Sequence, residues 1–146
     1  MAVRLLDVNL LMALAWPSHT HHASAHAWFA LHRSQGWATC QHTQMGFLRL
    51  SMQPAVVKMM INFEDAMRAL TTSIAAPEHT FWPQDYSLAG LLPDIRSRLM
   101  GHQQLADGML LDLAIRRCGC LATFDQGVSR LLPTDPKYLP ALEILH

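Results

Sequence analysis

"LADGMLLDLAIRRCGCLATFD", Leu105–Asp125, carries a helical pattern, a glycine break and an apolar strand in one run. At roughly 100° per residue, Leu110, Leu111, Ala114, Ile115 and Cys118 gather into one inward stripe. Asp107 falls near the middle of that stripe. Asp112 points about 140° away from it on the same geometry, which predicts a solvated surface charge. "CLATFD" reads as a strand ending on a carboxylate, Asp125, just before a break at Gly127. Burying the rim of a charge costs free energy unless something compensates it.

Outward from this stretch, short apolar runs alternate with longer helical patterns, which predicts an α/β fold with a mostly parallel sheet. "VRLLDV" reads as the first strand, with a short helix in "NLLMALAW" stopping near Pro17. "HHASAHAWFALHRS" has helical spacing and Gly36 ends it. "WATC" is a short second strand, and Thr43 is placed to cap the helix "QMGFLRLSM" before Pro54. "AVVKMMINFEDAMRAL" reads as one further amphipathic helix, and "HTFWPQ" as a strand or extended turn. "LEIL" suits a last edge strand. With no repeat, low-complexity tract or linker, residues 1–146 are expected to form one domain.

The chain has 146 residues, enough for a sizeable core. Its residues are 51% hydrophobic and 15% charged, with a formal net charge of zero. That balance argues against a strong general electrostatic grip on nucleic acid, which shows as a basic excess. It leaves room for nucleic acid held through metal ions or a local patch. Cys40, Cys118 and Cys120 have no metal-binding spacing, and an odd count suits reduced thiols in a cytoplasmic protein. Asp7 and Asn9 interrupt the N-terminal apolar run, so neither a signal peptide nor a membrane span is expected.

Three aspartates form a pattern. Ligands of open α/β sheets bind beyond the carboxyl ends of the strands, where Asp7 and Asp125 both fall, while Asp107 faces in near the start of its helix. Each has a plain alternative as a helix N-cap or dipole-favoured acid. Clustered carboxylates repel, and Mg²⁺ or Mn²⁺ commonly neutralises them.

"LLDVNLLMALAW", "WATCQHTQMGFLRLSMQP", "LADGMLLDLA" and "CLATFDQG", in this order, resemble a PIN-domain ribonuclease and, more narrowly, the VapC toxins of bacterial toxin–antitoxin pairs. "HHASAHAWF" and "FWPQD" fit one VapC subgroup, so the resemblance covers nearly the whole chain. It implies a PIN-like α/β/α sandwich and a metal-dependent endoribonuclease using Mg²⁺, with Mn²⁺ as a substitute. Carried over, Asp7 and Asp107 ligate the metal directly and Asp125 holds a second metal or acts through water. Asn9 and Thr123 orient these acids. The family often has glutamate where this chain has Gln44, which adds no charge and puts a tightly held second metal in doubt. Gln44 alternatively packs at the edge of its helix's apolar face. The resemblance also implies an RNA substrate, a cognate antitoxin docking against residues 19–33 and 55–70, and a homodimer.

Other residues keep two readings. Arg49 either contacts a substrate phosphate or is a surface cation. His22 and His26, four apart, either pair on zinc or start a helix. Arg96, Arg98 and His102 form the one local basic cluster before Asp107. Two other classes compete. A phosphoacceptor receiver domain wants paired acids at the first strand and a late-strand lysine, whereas this chain has Asp7 alone and "ALEILH" has no lysine. A PIN-like module that binds RNA or protein without cutting finds support in Gln44.

Overall fold

The computed structural model describes residues 2–146. β1 (Arg4–Leu6) leads through Asp7 into α1 (Val8–Ala15), and α2 (His22–His32) returns the chain to β2 (Trp37–Thr39). α3 (Gln41–Ser51), the single turn α4 (Pro54–Val57) and α5 (Phe63–Ile74) precede β3 (His79–Phe81). A loop, the short α6 (Pro93–Arg96) and α7 (Leu105–Arg116) lead to β4 (Cys120–Thr123), and 3-10 turns carry the chain to β5 (Leu142–Ile144).

All four strand pairings are parallel, in the order β3-β2-β1-β4-β5. Strands this short hold because both faces are covered, as parallel sheets require. Alternation along β1 sends Leu6 into one core with Leu10, Phe47 and Leu70, and Leu5 into the other with Leu110, Leu111 and Leu121. The result is an α/β/α sandwich, with α1, α2, α3 and α5 on one face and α6 and α7 on the other. The chain leaves β1 toward β2 on one side and reaches β4 on the other, so the strand order reverses between β1 and β4. The crevice beyond that reversal is where such sheets take ligands.

Gly46 sets how closely the helical layer approaches this crevice. A Cβ there would stand 2.6 Å from a methyl of Val8, so only glycine lets α3 lie against the start of α1. Among the described residues, no helix is long and apolar enough to cross a membrane.

Three expectations are corrected. Residues 55–70 are not one helix: Lys58 turns left-handed at φ 60 and Asn62 starts α5 by accepting from the Asp65 N–H at 2.8 Å. A side chain that binds the backbone locally wins over continued helix. Thr43 is not the cap of α3, which starts earlier: Cys40 holds the cap position and Thr43 Oγ1 accepts its N–H at 3.0 Å.

Asp112 is the third, for it is fully buried rather than solvated. It accepts from the Tyr86 hydroxyl at 2.8 Å, the Leu92 N–H at 2.9 Å and the Arg116 Nε at 2.6 Å. The loop after β3 folds over the side of α7 that a one-sided helix would leave wet, so α7 is covered twice.

Candidate functional site

Asp7 ends β1 and caps α1. Its Oδ1 accepts from the Val8 N–H at 2.7 Å and its Oδ2 from the Thr123 hydroxyl at 2.6 Å, across the junction of β1 and β4. Thr123 Oγ1 in turn accepts from Asn9 Nδ2 at 3.2 Å and from the Asp125 N–H at 3.0 Å. Asn9 Oδ1 receives the Phe124 N–H at 3.3 Å. One hydroxyl and one amide thus fix two strand ends against each other. Asp125 is exposed and caps the following 3-10 turn, its Oδ1 accepting from the Gly127 N–H at 2.8 Å. The N-cap readings of Asp7 and Asp125 are therefore correct locally, and each still leaves oxygen lone pairs for a ligand.

Asp107 differs. It sits half-buried in the first turn of α7, and its side chain makes no hydrogen bond among the described residues. Burial, and then the negative charges of Asp7 and Asp125, push its carboxyl up to about 6. The Asp7 carboxyl is also raised, by burial first, with Asp125 adding to the shift and Thr123, Val8 and His42 opposing it. The fold thus brings Asp7, Asp107 and Asp125 within electrostatic reach of one another. Among the described residues, no three carboxylate, imidazole or thiol groups lie close enough together to hold a metal ion on their own. Mutually repelling carboxylates, one without a protein partner, are the donor type that hard divalent cations take when water completes the shell.

Gln44 lies half-buried at the end of the first turn of α3, turned to β2. Its Nε2 donates to Thr39 Oγ1 at 3.0 Å, and that hydroxyl lies 2.8 Å from His79 Nε2. Arg49 is exposed in the last turn of α3, about 12 Å along the helix from Gln41 at the sheet end. Arg96 and His102 are exposed, Arg98 is half-buried, and none of the three contributes to the shifts at the acids.

His22 and His26 face each other at 4.5 Å between ring centroids. Each has one ring nitrogen on a carbonyl at the end of α1, His22 Nδ1 at 2.7 Å from Ala13 O and His26 Nε2 at 2.8 Å from Leu14 O. They serve the carbonyls that a helix C-terminus leaves unpaired. The residue missed in the sequence is His42, whose charge acts on Asp7. Its signal was its place just after the β2 end, the same rule that picked out Asp7 and Asp125.

Fold and site together define a PIN-like α/β/α protein with acids at the switch point of its sheet. No family model matches the chain. Ribonuclease VapC38 of Mycobacterium tuberculosis is 44% identical to it over 133 residues, which is 91% of this chain and 92% of that protein. Ribonucleases VapC39 and VapC44 of the same species are 38% and 37% identical, each over 86% of this chain and 90% and 87% of their own lengths. The chain belongs to the VapC family of PIN-domain ribonucleases.

Proposed function

We propose that this chain is a metal-dependent endoribonuclease and the toxin of a type II toxin–antitoxin pair. The observation that carries the reading is Asp107: an unpartnered carboxylate, raised to about 6, facing Asp7 and Asp125 at the sheet's switch point. Its relatives carry the name ribonuclease.

Asp7 and Asp107 would hold Mg²⁺, or Mn²⁺ in its place, with Asp125 contributing directly or through water. Such an ion supplies charge for the phosphoryl oxygens and leaving group and lowers the pKa of a water. The chain's own part is preorganisation. Val8 N–H and the Thr123 hydroxyl fix the Asp7 carboxylate in one orientation, and Asn9 holds Thr123 and the Phe124 backbone in register. Gln44 adds no negative charge, so the site holds three carboxylates, and its amide oxygen stays available to a water or substrate hydroxyl.

An apolar face suited to a partner lies on the layer of α1, α2, α3 and α5. The expected docking walls, residues 19–33 and 55–70, hold α2 and, after the break at Asn62, the first part of α5; the two helices face each other across a cavity of about 240 Å³ lined by Phe29, Phe47 and Leu70. Next to it Met59, Met60 and Phe63 stand exposed at the α4–α5 turn. An amphipathic antitoxin segment fits this apolar face, and a homodimer is the expected form of the free toxin.

The test uses antitoxin-free protein with total tRNA and rRNA under Mg²⁺, Mn²⁺ or chelator. Discrete metal-dependent fragments are expected, falling at least about 10²-fold in Asp7→Asn and Asp107→Asn, as for loss of a charge-stabilising group. Gln44 favours a second reading, a PIN-like module that binds RNA or protein without cutting. Folded protein that binds RNA and yields no fragments with either metal would establish that reading instead.

A further inference from the structure

Beside the carboxylates, a groove of about 290 Å³ opens between the start of α3, the first half of α7 and the loop after β3, lined by His42, Met45, Gln84, Tyr86, Leu88 and Met109. Its link to the acids is His42, which lines it and whose charge bears on Asp7, while Met109 of α7 closes the far side. Its rear wall is fixed, because Tyr86 is tied to buried Asp112 at 2.8 Å and carries the Arg116 guanidinium 4.2 Å over its ring. Its mouth is soft and apolar, with Met45 62% and Leu88 47% exposed.

Gln84 shows what the groove lacks. Its Oε1 accepts the His42 N–H at 3.0 Å, which joins the loop to α3. Among the described residues its Nε2 has only the Met109 sulfur, at 3.2 Å. A thioether is a weak acceptor, so this half-buried amide presents an underused N–H to the groove. The imidazole of His42 has no side-chain hydrogen bond among the described residues. A donor edge set between a thioether and an imidazole matches a flat heteroaromatic ring with a carbonyl on its edge.

We infer that this groove receives the nucleobase next to the scissile phosphate, His42 and Met45 packing on its faces and Gln84 donating to its edge. The inference rests on the nuclease reading above. With Gln84 Oε1 engaged by α3, the amide enters the groove as a donor only. Reading the edge at C4 of a pyrimidine or C6 of a purine, it favours uracil or guanine, which carry a carbonyl there, over cytosine and adenine, which carry an amino group. Only a base swung out of pairing can enter, so the cut falls in single-stranded RNA.

The experiment follows methionine-methyl NMR signals of the full-length Asp107→Asn protein as single-stranded tetranucleotides of each base are added, while the unsubstituted chain is assayed for cleavage in Mg²⁺. Met45 and Met109 are expected to shift with the uracil and guanine oligomers, binding roughly tenfold more tightly than the other two, the size of one well-placed hydrogen bond. Met60 and Met100, exposed elsewhere, stay unmoved. Gln84→Glu keeps the acceptor for His42 and removes the donor, so it is expected to abolish the preference; Met45→Ala, at an exposed position, weakens all four alike. RNA that is cut while Met45 and Met109 stay unmoved would overturn the groove and leave the nuclease standing. Shifts without cleavage in any metal would remove the nuclease and keep a base-binding groove. Equal binding of all four oligomers, unchanged in Gln84→Glu, overturns the assignment of Gln84.

Discussion

The Asp107 carboxyl sits at about 6 in the folded chain against 3.8 for an ordinary aspartate, with burial the first cause and the neighbouring acids the second. The folded state therefore binds that proton more tightly than the unfolded one. The stabilisation is complete below the unfolded value and is lost as pH rises through about 6. Asp7, also raised, acts in the same direction. Glu143, lowered because Arg4 and Trp28 outweigh its burial, gives way only at more acid pH. His19 and His79, lowered by burial, oppose this as pH falls, so the Asp107 contribution is read by calorimetry with chelator present as the change in melting temperature between pH 5 and pH 7.5 that Asp107→Asn removes. Asp107→Asn should flatten that pH dependence and raise the melting temperature at pH 7.5 while losing cleavage, the trade expected of a functional acid. The three aspartates were legible because strand ends and helical spacing are local patterns. Asp112 was misread because the loop that buries it comes from residues far along the chain.

Helices hold the site at set distances, and two junctions test how. Gly46→Ala gains helix propensity, worth about 1 kcal/mol, but drives a methyl into Val8. Overpacking of that kind costs about 1–3 kcal/mol, so a net loss in urea unfolding is expected, with cleavage reduced further as α3 moves off Asp7. At the other end of α1, His22→Ala removes one partner of the Ala13 carbonyl. The expected cost is about 1 kcal/mol, with cleavage by the folded protein unchanged. Most helices were legible from apolar spacing and from Gly36. The break between α4 and α5 was not, because Asn62 interrupts a pattern whose apolar residues continue on both sides of it.

Across the whole molecule, the parallel sheet followed from alternating apolar runs, while the strand order did not, since nothing local records which strands pair. That order puts the starts of α1, α3 and α7 at one edge, and helix N-termini favour negative charge. The carboxylates therefore gather where the backbone best tolerates them. With eleven Lys and Arg balanced by eleven Asp and Glu, the chain has no cationic excess to displace the counterions of RNA. Log affinity against log salt should accordingly fall with a shallow slope, that of about three phosphates or fewer, and filter binding over a salt series measures it. The bond from Thr123 to Asp7 joins residues 116 apart in the chain. During folding Asp7 has no Thr123 to pair with until β1 and β4 come together. The acids stay unassembled until then, so the site is a product of the closed sheet and of neither strand alone.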